Sequence, residues 1–144
     1  MTLIDANLLL YAVNTDTPDH AKTKLWLEET LAGLRGPVGL TWFTLVAFVR
    51  IGTNPRALTN PFSLDEALEQ ITEWLALPCV QVIGPGIDHL RHFDAACRTA
   101  SAKANLITDA HLAAIAIELD CDLASCDTDF GKFPGLRWIN PLTP

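Results

Sequence analysis

An aspartate interrupts the apolar run that opens the chain, Met1-Thr-Leu-Ile-Asp-Ala-Asn-Leu-Leu-Leu-Tyr11. Such a run predicts a buried strand followed by a short helix over 6–13. An uncompensated carboxylate is expensive to bury in that setting. Asp5 is therefore expected at the strand's mouth, where a donor or a cation meets it. In an open parallel sheet the carboxyl ends of the strands frame the ligand crevice, so the chain should bring other groups back to Asp5.

The remaining sequence alternates short apolar strands with helices. Helices are expected over 19–32, 43–51, 64–77, 87–98 and 110–119, and strands over 36–41, 79–83, 122–126 and 136–139. The clearest helix opens on Ser63-Leu-Asp-Glu66, a capping box in which Ser63 is the N-cap. Leu64, Leu68, Ile71 and Leu75 recur there at helical spacing and are expected to face inward. In the helix over 87–98, Leu90, Phe93 and Cys97 are expected inward. The pattern predicts one α/β domain over 1–144, a three-layer α/β/α arrangement around a mostly parallel central sheet.

Composition narrows the class. Hydrophobic residues make up 49% and charged residues 19%, which suits a packed globule. No apolar stretch reaches the ~18 residues that span a membrane, and the N-terminal run lacks a basic leader segment. A cytoplasmic location without membrane contact is expected. Cys79, Cys97, Cys121 and Cys126 show no metal-binding spacing and are read as small core hydrophobes, with a structural zinc site as the weaker alternative. A formal net charge of −7 disfavours holding nucleic acid by bulk electrostatics. It does not exclude a nuclease whose acids are gathered around bound cations.

Three further acids stand where strands and helices meet. Asp109 follows Leu106-Ile-Thr and is expected to open the central helix, while Asp127 and Asp129 follow the strand that ends at Cys126. Carboxylates gathered in one cleft repel one another unless a hard cation sits among them, and Mg²⁺ or Mn²⁺ suits an all-oxygen donor set. Each acid also has an ordinary reading. Asp109 suits a helix start, and Asp127 and Asp129 suit a turn; Asp5 has no such excuse. Asn7 is either an amide supporting Asp5 or the start of a helix. Thr108, Ser125 and Thr128 either orient a carboxylate or satisfy a turn. His111 is placed at the surface or behind the acids, Glu118 as a paired charge, and Trp42, Trp74 and Trp138 as core or interface anchors. Arg50, Asn54 and Arg56 are candidates for a phosphate contact, although an exposed loop has the same composition.

These stretches together resemble PIN-domain ribonucleases of the VapC-like toxin family. The resemblance is carried by Leu3-Ile-Asp-Ala-Asn7, Leu106-Ile-Thr-Asp-Ala-His-Leu-Ala-Ala-Ile-Ala-Ile-Glu118, Ser125-Cys-Asp-Thr-Asp-Phe130, Phe133-Pro-Gly-Leu-Arg-Trp138 and Asn140-Pro-Leu142. It implies a Mg²⁺- or Mn²⁺-dependent endoribonuclease acting on tRNA or rRNA, a homodimer, and neutralisation by a cognate antitoxin. It also implies that Asp5, Asp109, Asp127 and Asp129 are the metal-binding, catalytic acids. One departure stands out. Many relatives carry a glutamate on the second long helix, and Ala47 occupies that place in Thr44-Leu-Val-Ala-Phe-Val-Arg50. The departure favours one cation over two.

The alternative is a catalytically weakened PIN fold that only binds RNA or its antitoxin; a DNA-directed nuclease is a third option. Dehalogenase-like phosphatases and receiver domains fit poorly. The first require Asp-x-Asp where this chain has Asp5-Ala-Asn7. The second require an early acidic pair that is absent.

Overall fold

The computed structural model describes every residue, Met1–Pro144. Its elements run β1 (Thr2–Ile4), α1 (Ala6–Val13), α2 (His20–Leu31), β2 (Val38–Thr41), α3 (Trp42–Gly52), α4 (Leu64–Leu75), β3 (Val80–Ile83), α5 (His89–Thr99), α6 (Asn105–Glu118), β4 (Asp122–Ala124) and β5 (Arg137–Ile139), with a 3-10 turn at Thr128–Lys132. The sheet order is β3-β2-β1-β4-β5, and every pairing is parallel. From β1 the chain builds outward through β2 and β3, then returns to place β4 on the other side of β1. The strand order therefore reverses between β1 and β4, the position at which doubly wound sheets open a crevice. Asp5 follows β1, and Asp127 lies beyond β4.

Strand alternation sorts the core into two layers. Ile4, Val38, Leu40 and Ala124 pack beneath α1–α4 with Leu8, Leu9, Leu45, Phe48 and Trp74. Leu3 and Leu123 face α5 and α6 with Ala113, Ile115, Phe130 and Phe133. Gly39 sits between Val38 and Leu40, where a Cβ would come within 2.5 Å of Leu3 and 2.6 Å of Ile83. Its missing side chain is the room those two residues occupy. The expected three-layer fold around a parallel sheet is what the structure has.

Local expectations fared unevenly. The capping box is formed, with Ser63 Oγ accepting from Glu66 N–H and Glu66 accepting from Ser63 N–H. The inward face of α4, however, is Ala67, Ile71 and Trp74; Leu64 and Leu68 are 58% and 47% exposed. The small Ala67 and the large Trp74 fit beneath α3; of the expected stripe, Ile71 is buried and Leu75 packs against the core, while Leu64 and Leu68 lie to one side. In α5, Ala96 is buried and Phe93 and Cys97 pack with it, but Leu90 is 78% exposed. Trp74 is core, Trp138 is half-buried and Trp42 is exposed. The four cysteines are free, and all are buried or half-buried. No helix is long and apolar enough to cross a membrane.

Candidate metal centre

Asp5 is held by the junction it terminates. Its N–H joins the sheet by donating to the Ala124 carbonyl at 3.0 Å, and its Oδ1 caps α1 by accepting from Ala6 N–H at 2.7 Å. Oδ2 accepts from the Asn7 amide at 2.9 Å and from the Ser125 hydroxyl at 2.7 Å. Asn7 thus fills both of its anticipated roles, starting the helix and steadying the carboxylate. Ser125, fully buried, knits the site together: its Oγ also accepts from Asn7 Nδ2 and from Asp127 N–H at 3.0 Å. The Trp138 indole N–H closes on the Ser125 carbonyl at 2.9 Å. Thr108 has no such part, since its hydroxyl donates to the Asn105 carbonyl.

Asp127 caps the 3-10 turn through Oδ1, which accepts from Asp129 N–H at 2.9 Å. Two acids two residues apart are thereby folded onto the same side of a tight turn. Asp109 reaches them from α6, though not as that helix's first residue. The helix begins at Asn105, after Ala104 with φ +53°, so a backbone turn ends the preceding segment where the sequence suggested an acidic cap. Asp109 lies on the second turn, where its backbone N–H needs no side-chain partner and its carboxylate is free to project.

The result is a cluster in which Asp109, Asp127 and Asp129 offer carboxylate oxygens within 4.8 Å of one another, all three residues half-buried. Asp5 stands beside this trio rather than inside it, its oxygens already engaged by three donors. Its presence is felt electrically. Burial, then the charges of Asp127, Asp5 and Asp129, raise the Asp109 carboxyl to a pKa of about 6, with Lys132 opposing. Burial also raises Asp5, which donors Ser125 and Ala6 partly offset and Asp127 reinforces. Such a set of hard oxygen donors, strained by mutual repulsion, fits a divalent cation of the Mg²⁺ or Mn²⁺ type and offers nothing to a soft metal.

One participant escaped the sequence reading. Lys132 places Nζ 2.6 Å from Asp129 Oδ1; the one-turn spacing Asp129 to Lys132 was the available signal. Glu118 was expected as a paired charge, and its main partners prove to be backbone. Its two oxygens accept from Gly86 N–H and Asp88 N–H, each at 3.0 Å, and His89 Nδ1 lies 3.5 Å away. His111 is half-buried, hydrogen-bonded to His89 at 2.9 Å and edge-on to Phe43.

Between α3 and the first turn of α6, a cleft of about 500 Å³ is lined by Trp42, Ala47, Arg50, Asn105 and Thr108, among others. Ala47 lines this cleft, so a glutamate at that position would have added a carboxylate to its wall. Arg50 lines it too. Asn54 instead forms a turn by accepting from Arg56 N–H, and Arg56 is exposed in the loop beyond.

Comparison with known proteins follows the same outline. The PIN domain family profile matches residues 2–136. The chain is 39% identical over 141 residues to Ribonuclease VapC37 of Mycobacterium tuberculosis, covering 98% of this chain and 97% of that one. It is 38% identical over 142 residues to Ribonuclease VapC33 of the same species, covering 99% of each. The fold superposes on VapBC-1 from nontypeable Haemophilus influenzae with a TM-score of 0.70 at 15% identity, covering 99% and 98%. It also matches VapBC2 from Rickettsia felis, solved with a promoter DNA fragment, with a TM-score of 0.68 at 12% identity, covering 96% and 97%.

Proposed function

The chain belongs to the PIN-domain family, among the VapC-like toxins of type II toxin–antitoxin systems, and from that premise we propose that it is a divalent-cation-dependent endoribonuclease. The observation that carries the reading is the convergence of Asp109, Asp127 and Asp129 to within 4.8 Å at the sheet's switch point, with Asp5 alongside. The relatives named as ribonucleases support RNA as the substrate, with tRNA and rRNA as the two classes to test. The matched toxin–antitoxin complexes support a cognate antitoxin as partner. Family resemblance supports a homodimer.

In this reading Asp109, Asp127, Asp129 and Asp5 hold Mg²⁺ or Mn²⁺, which when bound polarises a phosphoryl oxygen and acidifies a water for phosphodiester hydrolysis. The chain's own groups do the remaining work. Ser125 and Asn7 keep the Asp5 carboxylate in one orientation, as supporting hydrogen bonds do for metal-site ligands. Asp127 fixes the turn that presents Asp129. With its pKa near 6, the Asp109 carboxyl gives up a proton as a cation arrives, so cation affinity should weaken as pH falls below that value. The cleft lined by Ala47, Arg50 and Thr108 gives an RNA backbone a path on which a guanidinium meets a flanking phosphate. Ala47 leaves the site one carboxylate short of many relatives and favours one cation.

The binding-only alternative draws on that same Ala47. Against it, a surface for phosphate gains nothing from several carboxylates at its centre. The test incubates antitoxin-free protein with total bacterial RNA in Mg²⁺, Mn²⁺ or EDTA, beside Asp109→Asn. Discrete fragments that need the cation and fall at least roughly 100-fold in the variant are expected. Absence of cleavage by folded protein under either cation would favour the binding reading.

A further inference from the structure

The proposed hydrolysis has an electrostatic difficulty: four acids guard the place where a polyanion must arrive. Lys132 is the one basic side chain paired with any of them. It shares the 3-10 turn Thr128–Lys132 with Asp129, and the N-cap of that turn is Asp127. Both members of the pair are accessible, with side chains 55% and 44% exposed, so the ammonium sits at the cluster's solvent mouth. Its field reaches beyond its partner and opposes the repulsion felt at Asp109. The other arginine and lysine ion pairs serve surface acids or the β4–β5 junction.

Resting on the nuclease reading above, we propose that Lys132 is the cleft's built-in cation: it competes with the divalent ion for Asp129 and, once displaced, binds an RNA phosphate beside the scissile bond. An ordinary structural pair three residues apart would explain the 2.6 Å contact alone. It would not account for the placement of the cluster's one paired ammonium at the mouth of acids that must admit phosphate. The exchange is cheap, because an exposed pair contributes little, and a doubly charged ion outcompetes a single ammonium for a carboxylate at equal distance. A flexible lysine stem lets the same charge stay nearby and turn to the substrate.

Lys132→Met and Lys132→Arg separate the two roles. Calorimetric titration with MnCl₂ alone should show about 2- to 5-fold tighter binding for Lys132→Met, and parent-like binding for Lys132→Arg. The salt dependence of kcat/KM is then measured in Mn²⁺ on an oligonucleotide carrying a cut site found in total RNA. Lys132→Met should flatten the slope of log(kcat/KM) against log[salt] by about 0.7, one phosphate contact on a single strand, with Lys132→Arg restoring it. Unchanged or weaker Mn²⁺ binding by Lys132→Met overturns the competition; an unchanged slope overturns the phosphate contact. A parent that binds Mn²⁺ but cleaves no RNA defeats the nuclease reading and the phosphate role with it, while the calorimetry still judges the competition. Thermal melts confirm that both variants fold.

Discussion

Asp109 holds the energetic tension of the site. Its carboxyl titrates near 6 in the fold against a reference of 3.8. Between those values the fold keeps a proton that the unfolded chain releases, so this group's contribution to stability falls as pH rises from about 4 to 6 and stays low above that. In EDTA, Asp109→Asn should therefore melt higher than the parent at pH 7.5, and the gap should close toward pH 4. Saturating Mn²⁺ should reverse the order, because only the parent offers the full ligand set. A thermal-shift series across pH, with and without Mn²⁺, reads this directly; a parent that melts higher than the variant in EDTA at pH 7.5 would contradict it. At this scale the sequence singled out the acids that the fold gathers. Asp5 stood out because an apolar strand has no use for a carboxylate, and Asp127 and Asp129 because they follow a strand. For the supporting Ser125 and Asn7 the sequence admits two readings each, since a serine or an asparagine near a turn has many uses and only the fold decides among them. Lys132 was passed over because a lysine on a surface turn is ordinary until the acids around it are assembled.

At the scale of elements, the boundaries that failed did so where side-chain chemistry was asked to settle a question of backbone. Asp109 resembled a helix start, yet α6 begins four residues earlier because Ala104 takes a positive φ. Leu64 and Leu68 share the helical spacing of Ile71 and Leu75, but the buried face is set by what α3 can accommodate, and Ala67, Ile71 and Trp74 fit there. The capping box at Ser63 was legible because its signal is entirely local. The start of α5 was not. Its N-cap, Asp88, makes no side-chain capping bond, and the exposed N–H groups of Gly86 and Asp88 are met by Glu118 from the far end of α6. A carboxylate at a helix N-terminus also complements the helix dipole. A Cβ at Gly86 would meet the Glu118 carboxylate, so a side chain there would displace the clamp. Glu118→Gln keeps the shape but replaces a charged acceptor, and should lower stability by about 1–2 kcal/mol. Chemical denaturation measures this, and an unchanged midpoint would show that the clamp contributes nothing.

For the whole molecule, the parallel order β3-β2-β1-β4-β5 explains why acids more than a hundred residues apart meet. The reversal between β1 and β4 sets the ends of those two strands side by side, and α6 crosses to supply the third element of the cluster. That much follows from alternating strands and helices once the crevice rule is applied. Strand order itself was not in the sequence pattern, because each crossover joins parallel neighbours on either side equally well. The formal charge of −7 is compatible with the proposed function: part of the negative charge is concentrated in the acid cluster, where a bound cation would neutralise it. The measurement that bears most directly on the account is anomalous diffraction from crystals soaked in Mn²⁺. A single anomalous peak held among Asp109, Asp127, Asp129 and Asp5 is the predicted result. Ordered crystals with no peak among these acids, or with Mn²⁺ bound only elsewhere on the surface, would contradict it.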